Sequence, residues 1–256
     1  MNFKDKVVVI TGGTSGIGKE VAKEFADKKA KVIVLTIDND DVASKAVEEI
    51  GNKAIYIKCN VAIEEEVEKA FNKIISKYGK IDCAFNNAGI GADGVRMPYQ
   101  TLTELSEKTW DLVVDVDMKG VFLCLKYELI QMQKQGYGSI VNTASIGGYK
   151  MAPGFGTYGP AKAGVIALTE LAALENAGYG IRVNAICPGP TTGTELTKNT
   201  ISSDPKQEEF LKEKVIPLKK LATCKEVSNA VLWLCSDLSN HTTGQKIFID
   251  GGMHIA

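Results

Sequence analysis

The sequence predicts a doubly wound α/β fold over residues 1–256, one domain built on a seven-stranded parallel sheet, on three observations. Short β-branched runs alternate along the chain with segments whose apolar residues recur at three and four positions, the spacing of an amphipathic helix. Those runs are apolar continuously instead of at every second residue, as strands are when helices cover both faces of their sheet. A glycine-rich turn joins the first run to the first helical segment, where doubly wound sheets take their ligands.

The strands are expected, in order, at 6–11 (KVVVIT), 31–37 (KVIVLTI), 53–59 (KAIYIKC), 81–87 (IDCAFNN), 138–145 (GSIVNTAS), 181–187 (IRVNAIC) and 246–250 (KIFID). Helical segments such as GKEVAKEFADKK and EEEVEKAFNKIISKYG fill the gaps. Two further helices differ: 112–125 (LVVDVDMKGVFLCL) is apolar nearly all round and 161–174 (AKAGVIALTELAAL) is rich in alanine. Helices of that kind are buried, either deep inside one chain or between the sheet and another subunit. The longest irregular stretch lies near 188–205, and a substrate lid is expected near 190–216.

A formal net charge of -1 with 24% charged residues gives no basic field, so neither nucleic acid nor an anionic membrane is expected as a partner. Only Arg96 and Arg182 are arginine, which leaves few sites for bidentate clamping of anions. The six cysteines lack a Cys-x-x-Cys pair and most sit in apolar runs, as reduced core thiols do. His241 and His254 stand apart from any ligand-like spacing, so no metal site is expected. The start, MNFKDK, shows no signal-peptide pattern and no stretch has the roughly 20 apolar residues of a membrane span, so a cytoplasmic protein is expected.

TGGTSGIG (11–18) follows the first strand and opens the first helix, with glycines at Gly12, Gly16 and Gly18. Backbone amides in such a turn approach a pyrophosphate closely, and the helix start offers unpaired N–H groups at its positive end. In that reading Gly12, Thr14, Ser15, Gly16, Ile17 and Gly18 form the phosphate side of a dinucleotide site. YGPAK (158–162) places Tyr158 one helical turn before Lys162, with Pro160 tolerated only in the first turn, so the helix is expected to start near Tyr158.

TGGTSGIG, NNAG (86–89), YGPAK and PG (188–189), in this order and at these separations, resemble the short-chain dehydrogenases/reductases from about Lys6 to Asp250-Gly251-Gly252, nearly the whole chain. The wording between the motifs is similar to NAD-dependent dehydrogenases of cyclic or secondary alcohols. The resemblance implies a Rossmann-type fold, hydride transfer with a nicotinamide cofactor, Tyr158 as acid/base, Lys162 lowering its pKa and holding the nicotinamide ribose, and Ser145 bonding the reacting oxygen. It also implies that Asn87, Ala88 and Gly89 line the adenine-ribose side and Pro188, Gly189 and Thr191 the carboxamide, with Thr192 and Thr194 competing for the last contact. A homotetramer formed by the two apolar helices and the last strand is implied as well.

Three positions depart from the family pattern. Asp117 stands where a catalytic asparagine is expected, and could either raise the pKa of Lys162 or be protonated itself. Thr36 occupies the position that discriminates NAD from NADP. Asp38 follows two residues later, and no basic residue lies in TSGIG to receive a 2′-phosphate, which favours NAD over NADP on electrostatic sign. Asn60, before Val61, replaces the acid that contacts adenine. The stretches 91–99, 146–156 and the lid supply Met97, Tyr99, Tyr149, Met151 and Phe155, an apolar wall suited to a neutral, ring-shaped secondary alcohol or ketone. An NADPH-dependent 3-oxoacyl thioester reductase and a non-catalytic dinucleotide-binding regulator are the alternatives.

Overall fold

The computed structural model describes residues 1–91, 99–201 and 204–256. Its main sheet is formed by β1 (Val7–Thr11), β2 (Lys31–Thr36), β3 (Ile55–Lys58), β4 (Cys83–Asn86), β5 (Gly138–Thr143), β6 (Ile181–Pro188) and β9 (Lys246–Ile249). All pairings are parallel, in the order β3-β2-β1-β4-β5-β6-β9. Two residue pairs, β7 (Thr191–Thr192) and β8 (Ala222–Thr223), make a separate ribbon. The seven expected strands are all present, each within about two residues of its expected ends. The connections after β1 and β4 leave toward opposite edges, so a crevice opens between their carboxyl ends.

Every residue of β1 and β4 is buried, as continuous apolar strands require. Val7 and Val9 point into one core layer and Val8 and Ile10 into the other. The first layer is closed by α3 (Glu64–Tyr78), α5 (Gly120–Gln135) and α6 (Tyr158–Asn176), through Val67, Phe71, Leu123 and Val165. The second is closed by α1 (Gly16–Asp27), α2 (Asp40–Ile50) and α9 (Cys224–Cys235), through Val21, Phe25, Ile50 and Val231. The aspartates after β2 serve the helix as well: Asn39 caps α2 on the Val42 N–H, and Asp40 and Asp41 fill its first turn.

The apolar helix expected at 112–125 is longer and interrupted. It runs as α4 (Glu107–Val114), a π-helical turn (Asp115–Lys119) and α5. The wider turn carries Asp117 to a fully buried position and is followed by Gly120, where a Cβ would come within 2.8 Å of Val61. One side of α5 and α6 packs on the sheet, yet Phe122, Leu171 and Leu174 on the other side are 48%, 52% and 82% exposed. Deep burial within one chain therefore does not account for their apolar character. The stretch 190–216, expected to be a lid, comprises among its described residues β7, α7 (Glu195–Thr200), α8 (Pro205–Phe210) and a π-helical turn at Leu211–Val215, and Ile201, Ile216 and Leu221 form a small core there that touches Met253.

Between the sheet and the α5 and α6 helices of the first layer runs a buried polar chain. The Asn86 Nδ2 donates to Glu128 Oε2 and to Asn142 Oδ1, both at 3.0 Å, and the Asn142 Nδ2 donates to Thr169 Oγ1 at 2.9 Å. Glu128, on α5, is fully buried, and burial pushes its carboxyl up to about 8 against the lowering effect of Asn86. Glu128 Oε1 and Asn86 Oδ1 lack hydrogen-bond partners, so a proton on the carboxyl supplies a donor that the cluster needs.

Between the ordinary carboxylate range and about 8, the folded chain thus holds a proton on Glu128 that the unfolded chain has lost. Stability is expected to fall as pH rises through that window, by about 3–5 kcal/mol from this group, and to level off above it. Glu128→Gln keeps the shape, offers an amide donor and has no proton to lose. Urea unfolding across a pH series should show a flatter curve for the variant, with its largest advantage at alkaline pH.

Candidate active site

The phosphate end is set by close backbone approach. Gly12 has φ 63°, and a Cβ there would lie 2.9 Å from the Ala88 Cα. A Cβ on Gly18 would lie 2.2 Å from the Gly12 carbonyl oxygen. The Thr11 hydroxyl accepts from the Asn87 and Ala88 N–H groups, each at 2.9 Å, and the Asn87 Nδ2 donates to the Gly12 carbonyl at 3.2 Å. The glycine turn and the NNAG turn are thereby joined across the crevice. Ser15 precedes α1 in extended conformation without a side-chain cap, and the first turn carries no acidic residue. The N–H groups at Ile17 and Gly18 are thus left for an anion.

At the end of β2 the register residue Thr36 is buried and Ile37 points outward, 67% exposed. The Asp38 carboxylate turns back beside Thr36. It accepts from the Thr14 hydroxyl at 2.5 Å and from the Thr36 hydroxyl at 3.0 Å, so a negative charge sits beside the glycine turn. Asn60 uses its side-chain oxygen on the Ala62 N–H at 3.0 Å, and its own N–H donates to Glu66 at 2.8 Å. Val61 is buried beside Gly120.

Helix α6 begins at Tyr158, with Pro160 in its first turn, as the sequence requires. Ser145 lies two residues beyond the end of β5, not at its last position. It caps a short 3₁₀ turn (Ile146–Gly148) by accepting from the Gly147 N–H at 3.0 Å, which leaves its hydroxyl proton to donate. Its side chain interacts with the Tyr158 hydroxyl, and a Cβ on Gly147 would contact both residues. The Lys162 Nζ lies 5.7 Å from the centre of the Tyr158 ring, donates to the Thr143 carbonyl at 3.0 Å and pairs with Asp117 Oδ2 at 3.2 Å. Asp117 Oδ1 accepts from the Ile90 N–H at 2.7 Å. Gly89 roofs the ion pair, since a Cβ there would lie 3.2 Å from Asp117 and 3.3 Å from Lys162.

Burial opposes the Lys162 ammonium, but Asp117 and Tyr158 outweigh it and hold the lysine above its usual range. Burial raises the Tyr158 hydroxyl. Lys162 and Ser145 pull it down, whereas Asp117 and Cys187 push it up, and the balance lies above the ordinary tyrosine value.

Beyond Pro188, the Gly189 N–H donates to the Ile249 carbonyl, and the Thr191 hydroxyl donates to the Gly189 carbonyl at 2.9 Å. The Thr192 hydroxyl donates to Ala222, and the Thr194 hydroxyl donates to the Thr191 carbonyl while capping α7. A Cβ on Gly16 would touch Thr194, so the start of α7 packs on the glycine turn. In the apolar wall, Phe155 lies 6.3 Å from the Tyr158 ring and 6.0 Å from that of Tyr99, while Met151 packs on Gly159. Tyr149 turns instead to Phe248 and His254. Met97 and Arg96 lie outside the described residues.

The family described as Enoyl-(Acyl carrier protein) reductase, within the short-chain dehydrogenases/reductases, matches residues 12–254. The chain belongs to the short-chain dehydrogenase/reductase family. Among its relatives is an uncharacterized oxidoreductase of Thermotoga maritima, 39% identical over 98% of both chains. Another is the 3-oxoacyl-[acyl-carrier-protein] reductase FabG of Staphylococcus epidermidis, 37% identical over 98% of this chain and all of the relative. The crystal structure of levodione reductase superimposes with a TM-score of 0.91 at 34% identity, covering all of both chains. As a short-chain dehydrogenase/reductase the chain is an oxidoreductase that binds a nicotinamide cofactor, and the capless start of α1 with its close glycine turn fits the pyrophosphate of such a group.

Sequence reasoning missed the service of Thr11, which holds the NNAG turn, and the place of Glu128 behind it. The sequence carries no clear signal for Glu128, since Lys126, Gln131 and Lys134 stand on the same helix. Gly18→Ala puts a methyl against the Gly12 carbonyl, so a fluorescence titration with reduced dinucleotide is expected to show at least tenfold weaker binding, with thermal melting reporting a loss of about 1–3 kcal/mol.

Proposed function

We propose that this protein is an NAD-dependent oxidoreductase interconverting a neutral, ring-shaped secondary alcohol and its ketone. The observation that carries this reading is the Tyr158 hydroxyl set between Ser145 and the Lys162 ammonium at the mouth of an aromatic wall. When bound, the dinucleotide supplies a hydride to the carbonyl carbon and is oxidised, or takes the hydride back in the reverse direction. Ser145 donates to the substrate oxygen and orients it. Tyr158 gives that oxygen a proton during reduction, or accepts the hydroxyl proton during oxidation. Lys162 stabilises the phenolate so formed and reaches the nicotinamide ribose. Gly12, Thr14, Ser15, Gly16, Ile17 and Gly18 hold the pyrophosphate. Asn60, Val61, Asn87, Ala88 and Gly89 serve the adenosine and its ribose, and Pro188, Gly189 and Thr191 the carboxamide.

NAD is favoured because the Asp38 carboxylate would accept from a ribose 2′-hydroxyl and repel a 2′-phosphate. The second reading, reduction of a 3-oxoacyl carrier thioester, draws on the relative of that name. It needs an anionic carrier near the mouth and is commonly served by the phosphorylated cofactor, against which Asp38 stands. The exposed apolar residues Trp110, Leu112, Phe122 and Ile130 on α4 and α5, with Leu171 and Leu174 on α6, support a homotetramer formed through these helices. The six free cysteines, five of them buried, suit the cytoplasm.

Screening cyclic, steroid, sugar and acyl alcohols with each cofactor by nicotinamide absorbance tests the reading. Tyr158→Phe is expected to lower turnover at least a thousandfold while leaving dinucleotide affinity within about twofold. A pure sensor would keep its behaviour in that variant. Asp38→Ala is expected to narrow the preference for NAD over NADP by about tenfold or more, read as the ratio of kcat/KM values. Phe122→Glu combined with Leu174→Glu is expected to give smaller particles by light scattering with an unchanged circular dichroism spectrum.

A further inference from the structure

The pair Lys162–Asp117 is closed to water: Asp117 is fully buried and Lys162 is 3% exposed. The Ile90 N–H donates to Asp117 Oδ1 at 2.7 Å, and Oδ2 lies 3.2 Å from the Lys162 ammonium in an ion pair. A carboxylate accepts on both sides. An asparagine of the same shape would present its NH2 to one of these donors and leave that donor opposed. The π-helical turn at Asp115–Lys119 and the missing Cβ at Gly89 bring the two charged groups together, so the local backbone is built around a direct ion pair.

That arrangement bears on the acid/base at the reacting oxygen. The groups acting on Tyr158 are Lys162 on its own helix, Asp117 on the π-helical turn, Ser145 after β5 and Cys187 on β6. A lone ammonium one turn from a tyrosine would favour the phenolate, whereas an ammonium already paired with a carboxylate favours it less. We propose that Asp117 is a charge-balancing positioning residue: it holds the Lys162 ammonium in place, offsets its field at Tyr158, and so keeps the tyrosine in its proton-donating form at neutral pH, where carbonyl reduction runs at its full rate and alcohol oxidation does not. The proposal rests on the oxidoreductase reading above. The overall equilibrium belongs to the reactants and the pH; Asp117 sets the pH range over which each direction reaches its full rate. In reduction the carbonyl carbon gains a hydride from the reduced dinucleotide, the oxygen gains the Tyr158 proton, and the phenolate left behind recovers a proton from water.

Removing a negative charge lowers the apparent pKa of the coupled tyrosine and lysine whichever of the two releases the proton, so the sign of the effect is independent of that assignment. In Asp117→Asn the rising limb of the oxidation rate is expected to move down by about one pH unit, and the alkaline loss of reduction to move down with it. The same shift is expected in a near-ultraviolet titration of tyrosinate, taken as the difference between the enzyme with and without Tyr158→Phe, a measurement that needs no substrate. Asp117→Ser, which keeps an acceptor for the Ile90 N–H, is the second variant and is expected to shift in the same direction.

An unchanged or upward shift in both rate and spectrum overturns the proposal, as does failure of both variants to fold, which would make the pair a structural support alone. A downward spectral shift in a protein that turns over no alcohol or ketone upholds the charge balance and sinks the oxidoreductase reading. A downward spectral shift with rate profiles that stay in place, in a protein that does turn over, overturns the assignment of Asp117 to the direction of the reaction.

Discussion

A buried ammonium group must find its acceptors inside the protein, and the site is arranged around that need of Lys162. Leaving such a charge unpaired would cost several kcal/mol, so the surrounding backbone is committed to holding it. The carbonyl of Thr143 faces it because β5 ends there. Asp117 faces it because the long helix widens into a π-helical turn. Gly89 clears the space above the pair. Tyr158 and Lys162 share one face of α6, whose start is marked by Pro160, so the lysine also fixes where the tyrosine hydroxyl stands relative to Ser145.

The same edge of the sheet carries a second polar layer. Thr11 ties the phosphate turn to Asn87 and Ala88. One residue earlier, Asn86 begins the chain through Asn142 to Thr169, with Glu128 behind it. Polar groups buried in this way hold two neighbouring strand ends in one register, because any slip leaves a donor or acceptor unmatched. The crevice therefore has rigid walls on the β1, β4 and β5 side, while the stretch 190–216 is held by only a small apolar cluster of Ile201, Ile216 and Leu221.

The strands were legible because their apolar runs are continuous and lie between helical periods, a pattern that follows from burial on both faces. The start of α6 was legible from one proline, and the phosphate turn from glycines in a strand-to-helix context. The ion pair of Asp117 was legible only as a departure from a pattern, since the sequence left open whether the carboxyl is paired or protonated. Thr36 shows where register alone falls short: the backbone turns after it, Ile37 faces solvent, and the Asp38 carboxylate comes back to accept from the Thr36 and Thr14 hydroxyls.

What the sequence by itself determined, then, is the order of elements and the glycine turn between the first strand and the first helix, which depend on residue type and local periodicity, and the family, which its motifs carry. What only the tertiary structure decided is which distant groups meet: Asp117 with Lys162, Asp38 with Thr14, Glu128 with Asn86, and the outward face of α5 and α6. These contacts join residues far apart along the chain, and they exist because the crossover after β1 and the crossover after β4 bring their strand ends side by side.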